Sequence, residues 1–265
     1  MSETLVSVAV SDETRADRRG KRADQGIYRD FLLAAMYFAE RARADEQRPG
    51  AAEASAADFV RHRAYVTGAI LSAAAFLEAS INELYLELHG SRARDRLRLP
   101  RRVLPLLGRA WAAMRRTRVL ERYQVVLKVA DAERFDERHA PFLDADTLMK
   151  MRDALLHSRP ERPVSGRRYR MLEKRLKGRF ALNPMAAPDS PWFPHQCLSA
   201  DCADWAIKAA DDFTDAFCRR IALPARGLAR GESPAPSRST TVRARRGVAD
   251  HVEPPAVTAP LSTGS

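Results

Sequence analysis

Residues 152–160 read "RDALLHSRP", with Arg152, Asp153 and His157 within six positions, shortly ahead of a helix-breaking Pro160. These side-chain types suit reactions on phosphodiesters. A planar guanidinium holds phosphate oxygens and offsets the charge that builds in the transition state. An imidazole that titrates near neutrality passes protons to or from a ribose hydroxyl or a leaving oxygen. No metal is needed for that scheme. On a regular helix Arg152 and His157 lie about 140° apart, whereas Asp153 and His157, four apart, share a face. Asp153 is then placed to orient the imidazole, and Arg152 reaches the same site if the last turn loosens or a second chain completes it. The plain alternative is a solvated helix end, with Asp153 and His157 a weak surface pair.

The helix carrying these residues begins in "LDADTLMK", with Asp144 or Asp146 as N-cap, and stops near Ser158, because proline disfavours helix at the residue before it. The rest of the chain reads as all-α, since Ala, Leu, Arg and Glu abound and almost nothing alternates with the period of a strand. A first helix carries Ile27, Phe31, Leu32, Ala35, Met36 and Phe38 at helical spacing and runs to about Ala44. A longer one starts at Ser55, with Asp58 three positions on as its capping-box partner. Its seam is Val66, Ile70, Ala73, Leu77, Ser80, Ile81, Leu84 and Leu88, and Gly90 serves as C-cap. At 1.5 Å per residue this helix is roughly 50 Å long. Its near-heptad seam suits a bundle or a second copy of the chain.

"RVLERYQVVLKVADA" is another helix, "RFDERHAPF" a loop that turns at Pro141, and "VSGRRYRMLEKRLKGRF" a basic, partly helical stretch. Ser199 caps a closing helix whose buried face is Cys202, Trp205, Ala206, Ala209, Phe213, Ala216 and Phe217. The expected organisation is a helical bundle with one long helix over residues 25–222, a disordered leader over 1–24 and a disordered Pro-, Ser- and Arg-rich tail over 223–265. The tail has too few large apolar residues to offset the entropy of ordering.

An arginine, a polar residue and a histidine late in a helical core, here "RDALLH", resemble the signature of the HEPN family. "AAAFLEASINEL", residues 73–84, and "CLSADCADWAIKAADDF", residues 197–213, are similar to the long and closing helices of its bacterial members. The resemblance covers about residues 25–222. It implies a helical bundle that forms a homodimer with the two motifs facing each other. It also implies a metal-independent RNA endonuclease in which the ribose 2′-hydroxyl attacks the adjacent phosphate, leaving a 2′,3′-cyclic phosphate and a 5′-hydroxyl. His157 would then be the general base or acid, Arg152 the phosphate clamp and Asp153 the residue that orients one of them. The family further implies a toxin or anti-phage defence effector, with an antitoxin or regulatory protein as partner. The alternative is a non-catalytic helical interaction module that binds a protein or nucleic acid.

The 265 residues carry a formal net charge of +11, which favours polyanions such as RNA as partners, although an arginine-rich genome bias would give the same balance. Arg92 to Arg122 form an arginine-dense stretch. Arg167, Arg168, Arg170, Lys174, Arg175, Lys177 and Arg179, with Tyr169 and Phe180 interleaved, form a second one able to guide RNA by phosphate contact. Glu78, Asn82 and Glu83 border the long seam and read as its solvated edge, with Glu78 or Asn82 alternatively a brace for the Arg152 site. Three cysteines make no disulfide framework, and a cytoplasmic home follows. His195, Cys197 and Cys202 match no zinc spacing, so neither metal nor cofactor is expected. No unbroken run of about 18 apolar residues marks a membrane span. Trp192 and Phe193 are expected to pack their proline-rich loop onto the bundle.

Overall fold

The computed structural model describes residues 26–89, 103–114, 116–157 and 167–226. The expected leader, Gly90, the arginines of 92–102, Ser158, Pro160 and the tail from 227 lie outside them. Among the described residues there are seven α-helices and no strand. In chain order they are α1 (Ile27–Glu46), α2 (Ala56–His89), α3 (Val103–Met114), α4 (Val119–Val129), α5 (Phe142–Leu156), α6 (Arg167–Leu176) and α7 (Ala200–Arg220).

The long helix α2 is the axis of the bundle, with α1, α3, α4, α5 and α7 all packed on it. Its start is fixed by Ser55, whose Oγ accepts the Asp58 amide at 3.2 Å and donates to the Asp58 carboxylate at 2.7 Å. Val66, Ile70, Ala73, Leu77, Ser80, Ile81 and Leu84 are all buried, as the seam requires. By length and composition alone Ala56–Glu87 is apolar enough to cross a bilayer, and half of its most apolar window is buried inside the bundle. Its apolar character thus has an internal use, which a search for unbroken apolar runs does not register.

Helix α1 turns Leu32, Ala35, Ala39 and Ala42 inward. Small side chains let the two helices approach closely; a Cβ on Gly68 would come within 3.0 Å of the Phe38 ring. Ile27, expected on the apolar face, is instead 64% exposed. In the closing helix α7, Ser199 Oγ accepts the Cys202 amide at 3.1 Å, and the expected face is buried apart from a half-buried Trp205.

One expectation needs correction, and one helix adds to those expected. Helix α5 does not start at Asp144 or Asp146. Pro141 is its N-cap, and the buried Phe142, beside Phe135 and Phe213, anchors the first turn. Asp144 therefore lies inside that turn, where the helix dipole favours a carboxylate. Helix α3 was hidden within the arginine-dense stretch. Val103, Leu107 and Met114 are buried and Trp111 stacks on Tyr85 at 4.6 Å, a helical stripe interrupted in sequence by Pro105 and Arg109. Proline is tolerated there because the first turn has no intrahelical use for its amide.

Packing continues past residue 222. Leu223 and Arg226 are buried, and Arg226 donates to Ser80 O at 3.1 Å and meets Glu87 at 2.5 Å. The start of the bundle lies at the same place. Glu83 abuts Gly26 so closely that a Cβ there would overlap its carboxylate, and Arg226 lies 5.2 Å from the Tyr28 ring. Burial pushes the Glu83 carboxyl above its ordinary value, with Arg226 opposing.

Candidate functional site

Helix α5 presents Phe142, Asp146, Met149, Lys150 and Asp153 along one face, and these residues form one wall of a cleft of about 730 Å³. The first turn of α4, from Arg118 to Arg122, Glu78 of α2 and Met171 of α6 also line it. Arg152 and Asp153 both line this cleft, their side chains 3.7 Å apart. The structure therefore brings these two candidates together.

His157 is placed differently. The regular helix ends at Leu156, and His157 is its C-cap with φ −115° and ψ 32°. Its backbone amide still donates to Asp153 O at 3.0 Å, but its side chain is exposed and lies beyond the cleft lining. That bond sets His157 one helical turn beyond Asp153, as their spacing predicts. His157 stands about 6 Å further along the axis than Asp153.

The cleft also contains a buried guanidinium, which the sequence shows only as the last of the arginine-dense stretch. Arg122 is buried, with its side chain only 9% exposed. Nη1 donates to Asn82 Oδ1 at 2.8 Å, and Nη2 and Nε donate to Thr117 O at 3.1 and 3.3 Å. Glu78 is 3.8 Å away. The sequence signal was its position: Arg122 shares the stripe of Val119, Tyr123 and Val126, all buried on α4. Asn82 thus braces Arg122, which lines the same cleft as Arg152. Glu78 lines the cleft, and Glu83, next after Asn82 on α2, turns to a different face, towards Gly26 and Tyr28.

The electrostatics of the cleft are mixed. Arg118, Arg122, Lys150 and Arg152 face the carboxylates of Glu78, Glu121, Glu137, Asp146 and Asp153. Asp146 is bound by Lys150 and, at 2.8 Å, by Arg175. Glu121 takes the Arg118 backbone amide at 3.4 Å. The first turn of α4 lines the cleft, so the positive end of that helix's dipole lies beside it, which favours an anion. Rigid guanidiniums beside a helix N-terminus suit phosphate, and carboxylates among them suit hydrogen-bond donors on the same ligand.

Part of the basic stretch of α6 is used internally. Arg175 meets Asp146 and Thr147, and Arg179 pairs with Asp144, which ties α6 and the turn after it to α5. Trp192 and Phe193 pack against the core, with Tyr169 stacked on Phe193 at 5.1 Å. His195 stacks on Phe59 at 5.8 Å, while Cys197 and Cys202 are buried with their thiols pushed up by desolvation. Among the described residues no three His, Cys, Asp or Glu side chains gather as a metal set.

Comparison of the chain with protein families, with curated proteins and with solved structures finds no match. The functional reading therefore rests on the residues and their geometry.

Proposed function

We propose that the chain is a metal-independent RNA endonuclease of HEPN type. It acts in the cytoplasm as a homodimer and serves as a toxin or anti-phage defence effector under an antitoxin or regulatory protein. The observation that carries this reading is the cleft that joins Arg152 and Asp153 of "RDALLH" to the buried Arg122. Arg152 takes the scissile phosphate, and Arg122, already held by Asn82 and Thr117, offers a second donor that needs no reorganisation. His157, exposed at the end of α5, takes the 2′-hydroxyl proton. Its position outside the cleft suits a strand or a second copy that approaches the helix end.

The test is cleavage of RNA in excess EDTA by the pure chain and by His157→Ala, with product ends mapped. Products should end in 2′,3′-cyclic phosphate, and the variant should lose about a hundredfold or more in rate while keeping its thermal stability. A folded His157→Ala protein that cuts at the original rate refutes the assignment.

A second reading, the helical interaction module, is favoured by two observations: carboxylates outnumber cations in the cleft, and His157 is not among its lining. On that reading the pure chain binds a partner but produces no cyclic phosphate ends.

A further inference from the structure

Two methionines, Met149 of α5 and Met171 of α6, line the cleft. Both are half-buried and packed against the core, whereas Met151, two positions from the first of them, is fully buried. The ties between α6 and α5 set the register in which they meet. Arg179, in the turn after α6, pairs with Asp144, and Arg175 meets Asp146 at 2.8 Å, so the two elements run in opposite directions. One helical turn further along that register, Met171 comes opposite Met149 and Lys150. Arg175 also donates to Thr147 Oγ1 at 3.1 Å, and Lys150 holds Asp146, so several bonds fix this alignment.

Met149 stands three positions before Arg152, and neighbours at that spacing on a helix have Cβ atoms about 5–6 Å apart. A phosphate held by Arg152 therefore has an apolar, polarisable surface within the reach of one nucleotide. The cleft, at about 730 Å³, is far larger than a phosphate alone needs. A thioether sulfur sits favourably about 5 Å from an aromatic ring, and its unbranched side chain adapts to rings of different outline. It is only a weak acceptor and does not discriminate between base edges.

We infer that Met149 and Met171 form a platform for a base next to the phosphate at Arg152. The ligand of the cleft is then a nucleotide unit, with its ring on the thioethers and its phosphate on the guanidiniums. This rests on the RNA reading of the cleft. The platform accepts all four bases and favours the larger faces of adenine and guanine, because stacking strength alone distinguishes them. The methionines position the strand and take no part in bond breaking.

The test uses the full chain with its methionine methyl groups labelled with carbon-13. Adenosine 2′,3′-cyclic phosphate should move the Met149 and Met171 methyl signals upfield, because each methyl then lies over a ring, and ribose 5-phosphate should not. In cleavage assays, an abasic site on one side of the cut should lower kcat/KM about tenfold or more, through KM. Met149→Ala should cut intact RNA at that reduced level and show no further loss on the abasic strand. Met149→Leu, which keeps an apolar side chain of similar size, should retain most of the affinity. If the chain cuts RNA but its methyl signals stay unmoved, or move equally with ribose 5-phosphate, the inference is overturned and the RNA reading stands. Equal cleavage of abasic and intact RNA by the original chain has the same meaning. Methyl shifts specific to the nucleotide, in a folded chain that cuts no RNA, overturn the cleavage reading and keep the platform. A folded chain that shows neither cleavage nor methyl shifts overturns both.

Discussion

The bond between Asn82 and Arg122 is the interaction on which the geometry of the cleft most depends, and its strength can be calculated in advance. The donor is charged, its side chain is 9% exposed, and the bond is 2.8 Å long. Hydrogen bonds to charged groups contribute about 1.5–3 kcal/mol when they are shielded from water. A double-mutant cycle of Asn82→Ala, Arg122→Met and the pair should therefore give a coupling energy of about 2 kcal/mol. With a urea slope of about 2 kcal/mol per molar, Asn82→Ala moves the unfolding midpoint by about 1 M in the Arg122 background and far less in the Met background. Trp111 and Trp205, both part-buried in the bundle, report unfolding by fluorescence. Glu78 provides the internal contrast. It lies 3.8 Å from the same guanidinium and is 39% exposed, so its coupling should stay below about 1 kcal/mol. A coupling below about 0.5 kcal/mol for Asn82 would show that this bond does not hold Arg122 in place, and the argument for a guanidinium preorganised by Asn82 would fail.

Ser199→Ala removes the N-cap of α7 and a 2.7 Å bond to Ala181 O. The loss should be about 2 kcal/mol, read as a fall in Tm of about 4–8 °C by circular dichroism; a fall under about 1 °C would contradict the capping role. The three cysteines are buried, and burial lifts the Cys218 thiol to about 11, so none should react with a thiol reagent near neutral pH until denaturant is added. Fast labelling of the native chain would show that the bundle opens around α7. Asp136, whose carboxyl is held low chiefly by the Arg138 amide, should keep its loop ordered from neutral pH down past about pH 4 and release it on further acidification. The sign follows because a depressed folded-state value contributes stability above the unfolded value and loses it as pH falls through the folded one. NMR of the loop amides should show Asp136→Asn without this transition; a loop that loosens already near pH 5 would contradict the geometry.

The long helix and the closing helix were legible because their signals are local. Serine caps and a 3.6-residue apolar period lie within the segments they describe. Helix α3 was not legible, since its stripe of Val103, Leu107, Trp111 and Met114 is dispersed among arginines and a proline. The pairing of Arg152 with Asp153 could be read from adjacency. The exit of His157 from the helix depends on the last turn, which periodicity locates only to within a residue or two. The place of Arg122 in the cleft was missed because its partner Asn82 lies forty positions away. A charged residue on an otherwise apolar stripe was the available sign. The basic run of α6 read as a phosphate track because the carboxylates that take up Arg175 and Arg179 belong to α5.

The meeting of Gly26, Glu83, Glu87 and Arg226 bears on the connectivity of the chain. The described bundle is entered and left at one point, where Glu83 and Glu87, one turn apart on α2, touch the first and last of its residues. The order of the helices along the chain is then separable from their packing. A short bridge from Arg226 back to Gly26, with a new opening cut elsewhere, would give a circular permutant with the same core. Anything fused before Gly26 and anything fused after Arg226 would start from neighbouring points. Two such additions would meet at a raised effective concentration set by their linkers.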